Sequence, residues 1–375
     1  MKTTNQKQRQ TMKIIISGGG TGGHIFPAIA IANALKAIDP SCEILFVGAQ
    51  GRMEMEKVPA AGYPIIGLPV AGFQRRLTWK NVTFTFKLLR SIMKAKQILQ
   101  SFKPDVVVGV GGYASGPMLR SAAKKGIPTL IQEQNSFAGV TNKILAKKAK
   151  RICVAYNGME KQFPSEKITL TGNPVRQGLE TVDYLHDEAL SYFKLNATKP
   201  VILLIGGSLG ARTLNECVAS KLIEIEQSGI QFIWQTGKVF HAEAQKLLEN
   251  NQFPNIHQFD FISRMDLAYS VADIVISRAG ALSISELCVI GKPAILVPSP
   301  NVAEDHQTHN AMALVQQSAA IMIRDIDAPK TLIDEALKLV INREKKLQLS
   351  NNIKQMAMPN AADVIAKEVI KLITK

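Results

Sequence analysis

Short apolar runs alternate with stretches of helical period along the whole 375-residue chain. In the first half the runs fall at Lys13–Ser17, Glu43–Val47, Ile65–Leu68, Val106–Val110, Thr129–Ile131, Ile152–Val154 and Ile168–Thr171. They are apolar without strict alternation, as expected of strands covered on both faces, and helical patterns separate them. That is the signature of repeated β-α-β units and a parallel sheet. The segment "GNPVRQG" (Gly172–Gly178) breaks the pattern with glycine and proline, and a polar stretch runs on to Pro200. Alternation restarts at "VILLIGGSLGAR", with later runs at Phe232–Gln235, Ile256–Phe259, Ile274–Ser277, Ala294–Val297 and Ala320–Ile323. The pattern predicts an α/β chain of two doubly wound parallel-sheet domains, parted near Asn173–Arg176.

Composition fits that picture and narrows the function. Hydrophobic residues make up 46% and charged residues 20% of the chain, the balance of a globular protein. Cys42, Cys153, Cys217 and Cys288 lack metal-site spacing and sit in or beside apolar stretches, which predicts reduced core thiols and a cytosolic setting. The apolar part of the N-terminal stretch is only Ile14–Ile16, too short for a signal-peptide core. No stretch approaches the ~20 apolar residues of a spanning helix. The net charge of +15 points to anionic partners. Much of it gathers between Glu56 and Asp105, where no acid occurs and nine basic residues do. Nucleic acid is disfavoured as the partner, because aromatics are only 6% and no RRM, KH or helix-turn-helix pattern is present.

Three glycine loops follow strands and open helices: "GGGTGGHIFPA" (Gly18–Ala28), "GVGGYASGP" (Gly109–Pro117) and "GGSLGAR" (Gly206–Arg212). Gly18, Gly20 and Gly23 spell the dinucleotide fingerprint G-x-G-x-x-G. A nicotinamide site also needs a carboxylate at the end of its second strand, and that strand here ends Val47, Gly48, Ala49, Gln50. No G-K-[ST] follows either, so the first loop is not a P-loop. Glycine lets backbone N–H groups approach an anion, and the helix N-terminus behind them adds about half a positive charge. Three such loops at the carboxyl ends of parallel strands point to a cleft for polyanionic or sugar ligands.

Six segments, in this order, resemble the peptidoglycan N-acetylglucosaminyltransferases of the GT-B superfamily. They are the three loops together with "EQNSFAGVTNK" (Glu133–Lys143), "TGNPVR" (Thr171–Arg176) and "SRAGALSISE" (Ser277–Glu286). The resemblance implies a GT-B fold, two Rossmann-like domains facing a cleft. It divides the chain into an acceptor- and membrane-facing domain over 1–173 and a UDP-sugar donor domain over 174–360. A last helix over 361–375 would pack back on the first domain. The implied reaction moves N-acetylglucosamine from UDP-N-acetylglucosamine to the C4 hydroxyl of the muramoyl sugar of lipid I, with inversion, to give lipid II. Ser208 and its loop would meet the UDP phosphates, with Arg176 adding charge. The backbone of Ile262 would read the uracil edge, and Glu286 would accept both ribose hydroxyls. Ala281, Leu282, Ser283, Ile284 and Ser285 would start a helix aimed at the pyrophosphate. Gln307, Asn135, Thr21, Gly22 and Gly23 would hold the sugar and the acceptor side. Gly111, Gly112 and Tyr113 would form the acceptor's pyrophosphate loop. Family members often carry histidine where this chain has Gln132, and the stretch around Gln307 varies among them.

His24 follows the first loop at a strand's carboxyl end, and an unperturbed pKa of ~6.5 suits a general base. Its alternatives are a helix cap or a phosphate contact, and Glu133 is the reserve base. A D-x-D, Asp325 to Asp327, matches the metal-holding motif of some glycosyltransferases, but an N-cap at Asp327 ahead of "APKTLIDEAL" accounts for it. The glycine loop, a helix N-terminus and Arg176 are expected to stabilise departing UDP without a metal or other cofactor.

A lipid-linked acceptor calls for a peripheral membrane contact. Phe73, Leu77 and Trp79 beside Arg75, Arg76 and Lys80 are the expected contact with an anionic surface, on the cytoplasmic face of the plasma membrane. Val82, Phe86, Leu89 and Met93 recur at helical spacing and are expected to face the core. Rival functions are another UDP-sugar GT-B enzyme, such as a UDP-N-acetylglucosamine 2-epimerase or a glycolipid synthase, a basic nucleic-acid-binding protein, and a dinucleotide oxidoreductase.

Overall fold

The structure, a computed structural model, describes residues 11–70, 80–176, 178–207, 210–249 and 253–374, without the side chains of 80–85 and 303. Two compact units emerge. One comprises 1–134, 138–175 and 360–375; the other comprises 135–137 and 176–359.

The first unit is a seven-stranded parallel sheet in the order β3-β2-β1-β4-β5-β6-β7. Its strands are β1 (Lys13–Ser17), β2 (Glu43–Ala49), β3 (Ile65–Leu68), β4 (Val106–Gly109), β5 (Thr129–Glu133), β6 (Arg151–Val154) and β7 (Ile168–Leu170). Helices α1 (Gly22–Ile38), α2 (Glu54–Ala60), α3 (Lys80–Phe102), α4 (Ser115–Lys124) and α5 (Val140–Ala146) connect them. The central strands bury both faces, so their apolar residues divide between two cores. Ile14 and Ile16 join α1 on one side, while Ile15, Val107 and Ile131 meet α3 and α4 on the other. The last helix of the chain (Ala361–Ile373) belongs to this unit, where Ile365, Ala366 and Val369 pack on the α1 side. Glu368 on that helix pairs with Arg151 at 3.0 Å.

The second unit is a six-stranded parallel sheet, β10-β9-β8-β11-β12-β13. After α6 (His186–Phe193), its strands are β8 (Val201–Ile205), β9 (Gln231–Gln235), β10 (Ile256–Phe259), β11 (Ile274–Ser277), β12 (Ala294–Leu296) and β13 (Ile321–Met322). Helices α7 (Arg212–Ala219), α8 (Leu222–Gln227), α9 (Lys238–Glu249), α10 (Met265–Val271), α11 (Ala281–Ile290), α12 (His306–Val315), α13 (Ala328–Ile341) and α14 (Arg343–Gln355) cover it, and α15 is the last helix already placed in the first unit. Trp234 and Phe232 of β9 are fully buried. Among the described residues no helix is long and apolar enough to cross a membrane.

The strand orders fix where chemistry collects. In the first unit the chain winds outward from β1 to β3 and resumes on the other side at β4; in the second it winds from β8 to β10 and resumes at β11. The loops at these reversals splay apart at the carboxyl edge, which is where open α/β sheets bind ligands. The first two glycine loops follow β1 and β4; the third follows β8, and "SRAG" follows β11.

One expectation about α3 fails. Phe86, Leu89 and Met93 are 66%, 54% and 57% exposed. The core face of the helix is instead Ser91, Ala95, Ile98 and Leu99, which also recur at helical spacing but on another side. A period reveals that a stripe exists, not which stripe the sheet will cover.

Candidate active site

The first and second glycine loops interlock in the first unit. Gly111 and Gly112 have φ of +91° and +83°, the left-handed region that favours glycine. A Cβ on Gly112 would lie 2.2 Å from the carbonyl oxygen of Gly19, and one on Gly111 would lie 2.7 Å from Cδ2 of His24. The histidine ring therefore rests on the second loop, where no side chain intervenes. Its Nδ1 lies 3.1 Å from Oγ1 of Thr21, within hydrogen-bonding distance. Ser115 ties the second loop down by donating to the carbonyls of Ser17 (2.7 Å) and Gly111 (2.8 Å). Gly22 is partly exposed, Gly23 exposed, and Tyr113 stands half-exposed at the turn.

Glu133, the reserve base, lies at the end of β5. Its carboxylate is 2% exposed and accepts from the Gly139 N–H (3.1 Å) and Asn142 Nδ2 (2.8 Å), closing the loop into α5. Gln132, also buried, donates to Asn173 Oδ1 at 3.0 Å, and Asn173 donates to the Gln134 carbonyl at 2.9 Å. Asn173 is thus fixed within the first unit; the division between units falls after Val175.

In the second unit the clearest feature is a buried carboxylate. Glu286, on α11 and 6% exposed, makes an ion pair with Arg176 at 2.9 Å and accepts from the Tyr269 hydroxyl at 2.9 Å. Burial raises its pKa above the usual carboxylate value, against the lowering by Arg176 and Tyr269. Tyr269 is fully buried, and burial followed by the neighbouring carboxylate pushes its own pKa well up, so it stays a donor. The α11 N-terminus has Gly280 as its cap, no side-chain hydrogen bond there and no acid in its first turn. The N–H groups of Ala281, Leu282 and Ser283 precede the helix's own ladder and are oriented to meet an anion. Ile284 already donates to Gly280 (3.0 Å), and Ser285 Oγ donates back to Ala281 (2.9 Å).

The loop after β8 needs its glycines. A Cβ on Gly206 would lie 2.5 Å from the Ala211 nitrogen, and one on Gly210 2.2 Å from the Thr236 carbonyl oxygen. Gln235 fastens this loop to the segment after β10, donating to the Gly207 carbonyl (3.0 Å) and accepting from Ile262 N–H (3.1 Å). The Ile262 N–H is therefore engaged within the protein. Gln307 Oε1 accepts from Ser299 N–H at 2.9 Å. Asn135 Oδ1 accepts from Asn310 Nδ2 (3.1 Å), Ser136 donates to Asn310 Oδ1, and Phe137 stacks on His309 with ring centres 5.0 Å apart.

The D-x-D divides between two arginines. Asp325 accepts from Arg278 and from Thr213 (3.0 Å), bracing the "SRAG" loop. Asp327 occupies the N-cap position of α13 without a side-chain capping bond, because Arg324 takes its carboxylate at 2.6 Å. The capping reading is corrected accordingly, while the two carboxylates still have separate structural partners. Ser208, Phe73, Arg75, Arg76, Leu77 and Trp79 lie outside the described residues, as does the side chain of Lys80. Sequence reasoning missed Tyr269, Gln235, Asn310 and Glu54; a buried tyrosine or glutamine inside an apolar run was the available signal for the first two.

Residues 14–154 match the glycosyltransferase family 28 N-terminal domain and 201–365 its C-terminal domain. The chain is 59% identical over 367 residues to the UDP-N-acetylglucosamine--N-acetylmuramyl-(pentapeptide) pyrophosphoryl-undecaprenol N-acetylglucosamine transferase of Phocaeicola vulgatus, covering 98% of each. It is 53% identical over 363 residues to the transferase of the same name in Flavobacterium psychrophilum, covering 96% of this chain and 98% of the other. Among solved structures it is similar to MurG of Acinetobacter baumannii, with 32% identity, a TM-score of 0.77 and coverage of 96% and 99%. The UDP-GlcNAc 2-epimerase of Neisseria meningitidis shares the fold alone, at 16% identity, a TM-score of 0.67 and coverage of 96% and 100%.

Proposed function

The chain belongs to glycosyltransferase family 28, and on that premise we propose that it transfers N-acetylglucosamine from UDP-N-acetylglucosamine to lipid I, forming lipid II for peptidoglycan. It has the GT-B fold of two Rossmann-like parallel-sheet domains. The observation that carries the donor assignment is Glu286. A carboxylate offers about four lone-pair sites, and Arg176 and Tyr269 take one on each oxygen. One site remains on each oxygen for a ribose hydroxyl. The free N–H groups at the start of α11, on the same helix, suit the pyrophosphate, and Arg176 beside Glu286 supplies a cation.

The chemistry follows from these roles. The C4 hydroxyl oxygen of the muramoyl sugar attacks the anomeric carbon, the bond from that carbon to the UDP oxygen breaks, and the configuration inverts. His24 takes the hydroxyl proton, and Thr21 at its Nδ1 orients the ring. Negative charge growing on UDP is met by the α11 N-terminus, Arg176 and the loop that carries Ser208. One preorganised donor of this kind contributes about 3–4 kcal/mol to a transition state. Glu133 is the reserve base, and its carboxylate also accepts from the Gly139 N–H and from Asn142 on α5. Asn135 and Gln307 remain our choice for the sugar, and Gly22, Gly23, Gly111, Gly112 and Tyr113 for the acceptor.

The acceptor is lipid-linked, so the protein works at an anionic membrane surface, on its cytoplasmic face. The exposed stripe Phe86, Leu89 and Met93, beside the exposed Lys87, Arg90 and Lys96, supports this reading and extends the contact assigned to Phe73, Arg75, Arg76, Leu77, Trp79 and Lys80. The test is transfer of radiolabel from UDP-N-acetylglucosamine to a lipid I analogue. Label in a product heavier by one N-acetylhexosamine is expected. Label recovered only as an epimerised sugar, or no transfer, would overturn the proposal.

A further inference from the structure

Glu54 is 1% exposed, and among the described residues no ion pair compensates its charge. Its carboxylate instead accepts the backbone N–H of Gly20 at 2.9 Å through one oxygen and that of Ala49 at 2.9 Å through the other. Burying a carboxylate is costly unless hydrogen bonds satisfy it, and charge-assisted bonds to N–H groups are the stronger kind. Two glycines make room for it. A Cβ on Gly19, whose φ is +136°, would lie 2.3 Å from a Glu54 oxygen, and one on Gly48 would lie 2.5 Å from its Cγ. The acid missing from the end of β2 is thus supplied from α2, five residues beyond Ala49 and turned inward.

We propose that Glu54 is a positioning residue: its carboxylate clamps the first glycine loop to the end of β2 and so sets the geometry of Thr21 and His24. The loop has glycine at 18, 19, 20, 22 and 23, and left to itself would sample many conformations. One buried carboxylate restricts it at Gly20, directly before Thr21. The clamp also engages the Gly20 N–H, which a phosphate would otherwise take, and places a negative charge beneath the loop. This positioning role rests on the reading of His24 as the base.

The test is Glu54→Gln in the full chain, which keeps the shape but sets an amide N–H₂ against one of the two backbone donors. Hydrogen–deuterium exchange over residues 17–24 is expected to quicken at least tenfold, with exchange in the sheets unchanged. In the transfer assay kcat should fall at least tenfold while the KM for UDP-N-acetylglucosamine stays within twofold. Loop exchange and kcat both within twofold of the parent would overturn the proposal. So would parallel loss of donor KM and sheet protection, which would mark a general structural role. If Glu54→Gln does not fold, Gly48→Ala, which displaces the carboxylate while keeping it, decides by the same readouts. His24→Ala assayed alongside separates the two readings. Full activity there removes His24 as the base, whereas an inactive His24→Ala beside a fully active Glu54→Gln overturns the clamp alone.

Discussion

Glu286→Gln separates what the buried carboxylate does for UDP from what it does for the fold. In the parent protein burial raises the Glu286 pKa above its unfolded value of ~4.3. For an acid this means that the native state holds the proton more tightly than the unfolded chain. The stability linked to the neutral form is complete below the unfolded pKa and is lost as pH rises through the folded one. Above its unfolded pKa Glu286 thus contributes less to folding than it does below it. Glutamine removes this pH dependence, and Tyr269, 2.9 Å away, can still donate to the amide oxygen. The ion pair lost is with an Arg176 side chain that is 53% exposed, a type worth about 0–1 kcal/mol. The melting temperature of the variant at pH 7.5 should therefore equal or exceed the parent's, and the difference should vanish near pH 4. UDP binding moves the other way. Losing one charge-assisted acceptor for the ribose diol costs about 1.5–3 kcal/mol, which is roughly a 10- to 150-fold rise in Kd. Calorimetric titration with UDP and thermal melts across pH measure the two effects. A lower melting temperature with unchanged UDP affinity would refute the reasoning and make Glu286 a structural pillar.

Tyr269→Phe leaves one buried Glu286 oxygen without its donor, so a stability loss of about 1–3 kcal/mol is expected in denaturant titrations, with weaker UDP binding. Gly111→Ala drives a methyl to within 2.7 Å of the His24 ring at a φ of +91°; kcat should drop at least tenfold with UDP affinity intact. Replacing Phe86, Leu89 and Met93 together by serine should weaken binding to anionic liposomes at least tenfold without altering UDP affinity. Each such side chain contributes up to about 1.5–3 kcal/mol when fully withdrawn from water. Trp79→Ala with Arg75→Glu should act in the same direction, as a co-sedimentation assay would show. Activity should survive EDTA, because Asp325 and Asp327 are each engaged by an arginine.

The strands and the loops behind them were legible because both are local. Apolar runs marked twelve strand positions to within two residues, and glycine marked the turns after β1, β4 and β8. Interactions closed by folding were not legible. Glu54 reaches 34 residues back to Gly20, and Tyr269 meets Glu286 only because α10 and α11 flank one strand. No acid ends β2, and Glu54, five residues beyond Ala49, turns inward to Gly20 and Ala49. Phe86, Leu89 and Met93 were misplaced because α3 carries two apolar stripes and the sheet covers the smaller-residue one. Asp327 has the cap position but not the cap bond, since an adjacent arginine competes for the same oxygens.

The central claim is a direct displacement at the anomeric carbon by a lipid I hydroxyl. Proton NMR of the disaccharide product tests it most directly. Starting from the α-linked donor, the account predicts a large anomeric coupling, that of a β linkage to C4 of the muramoyl sugar. A small coupling, that of a retained α linkage, or attachment at another position would contradict it.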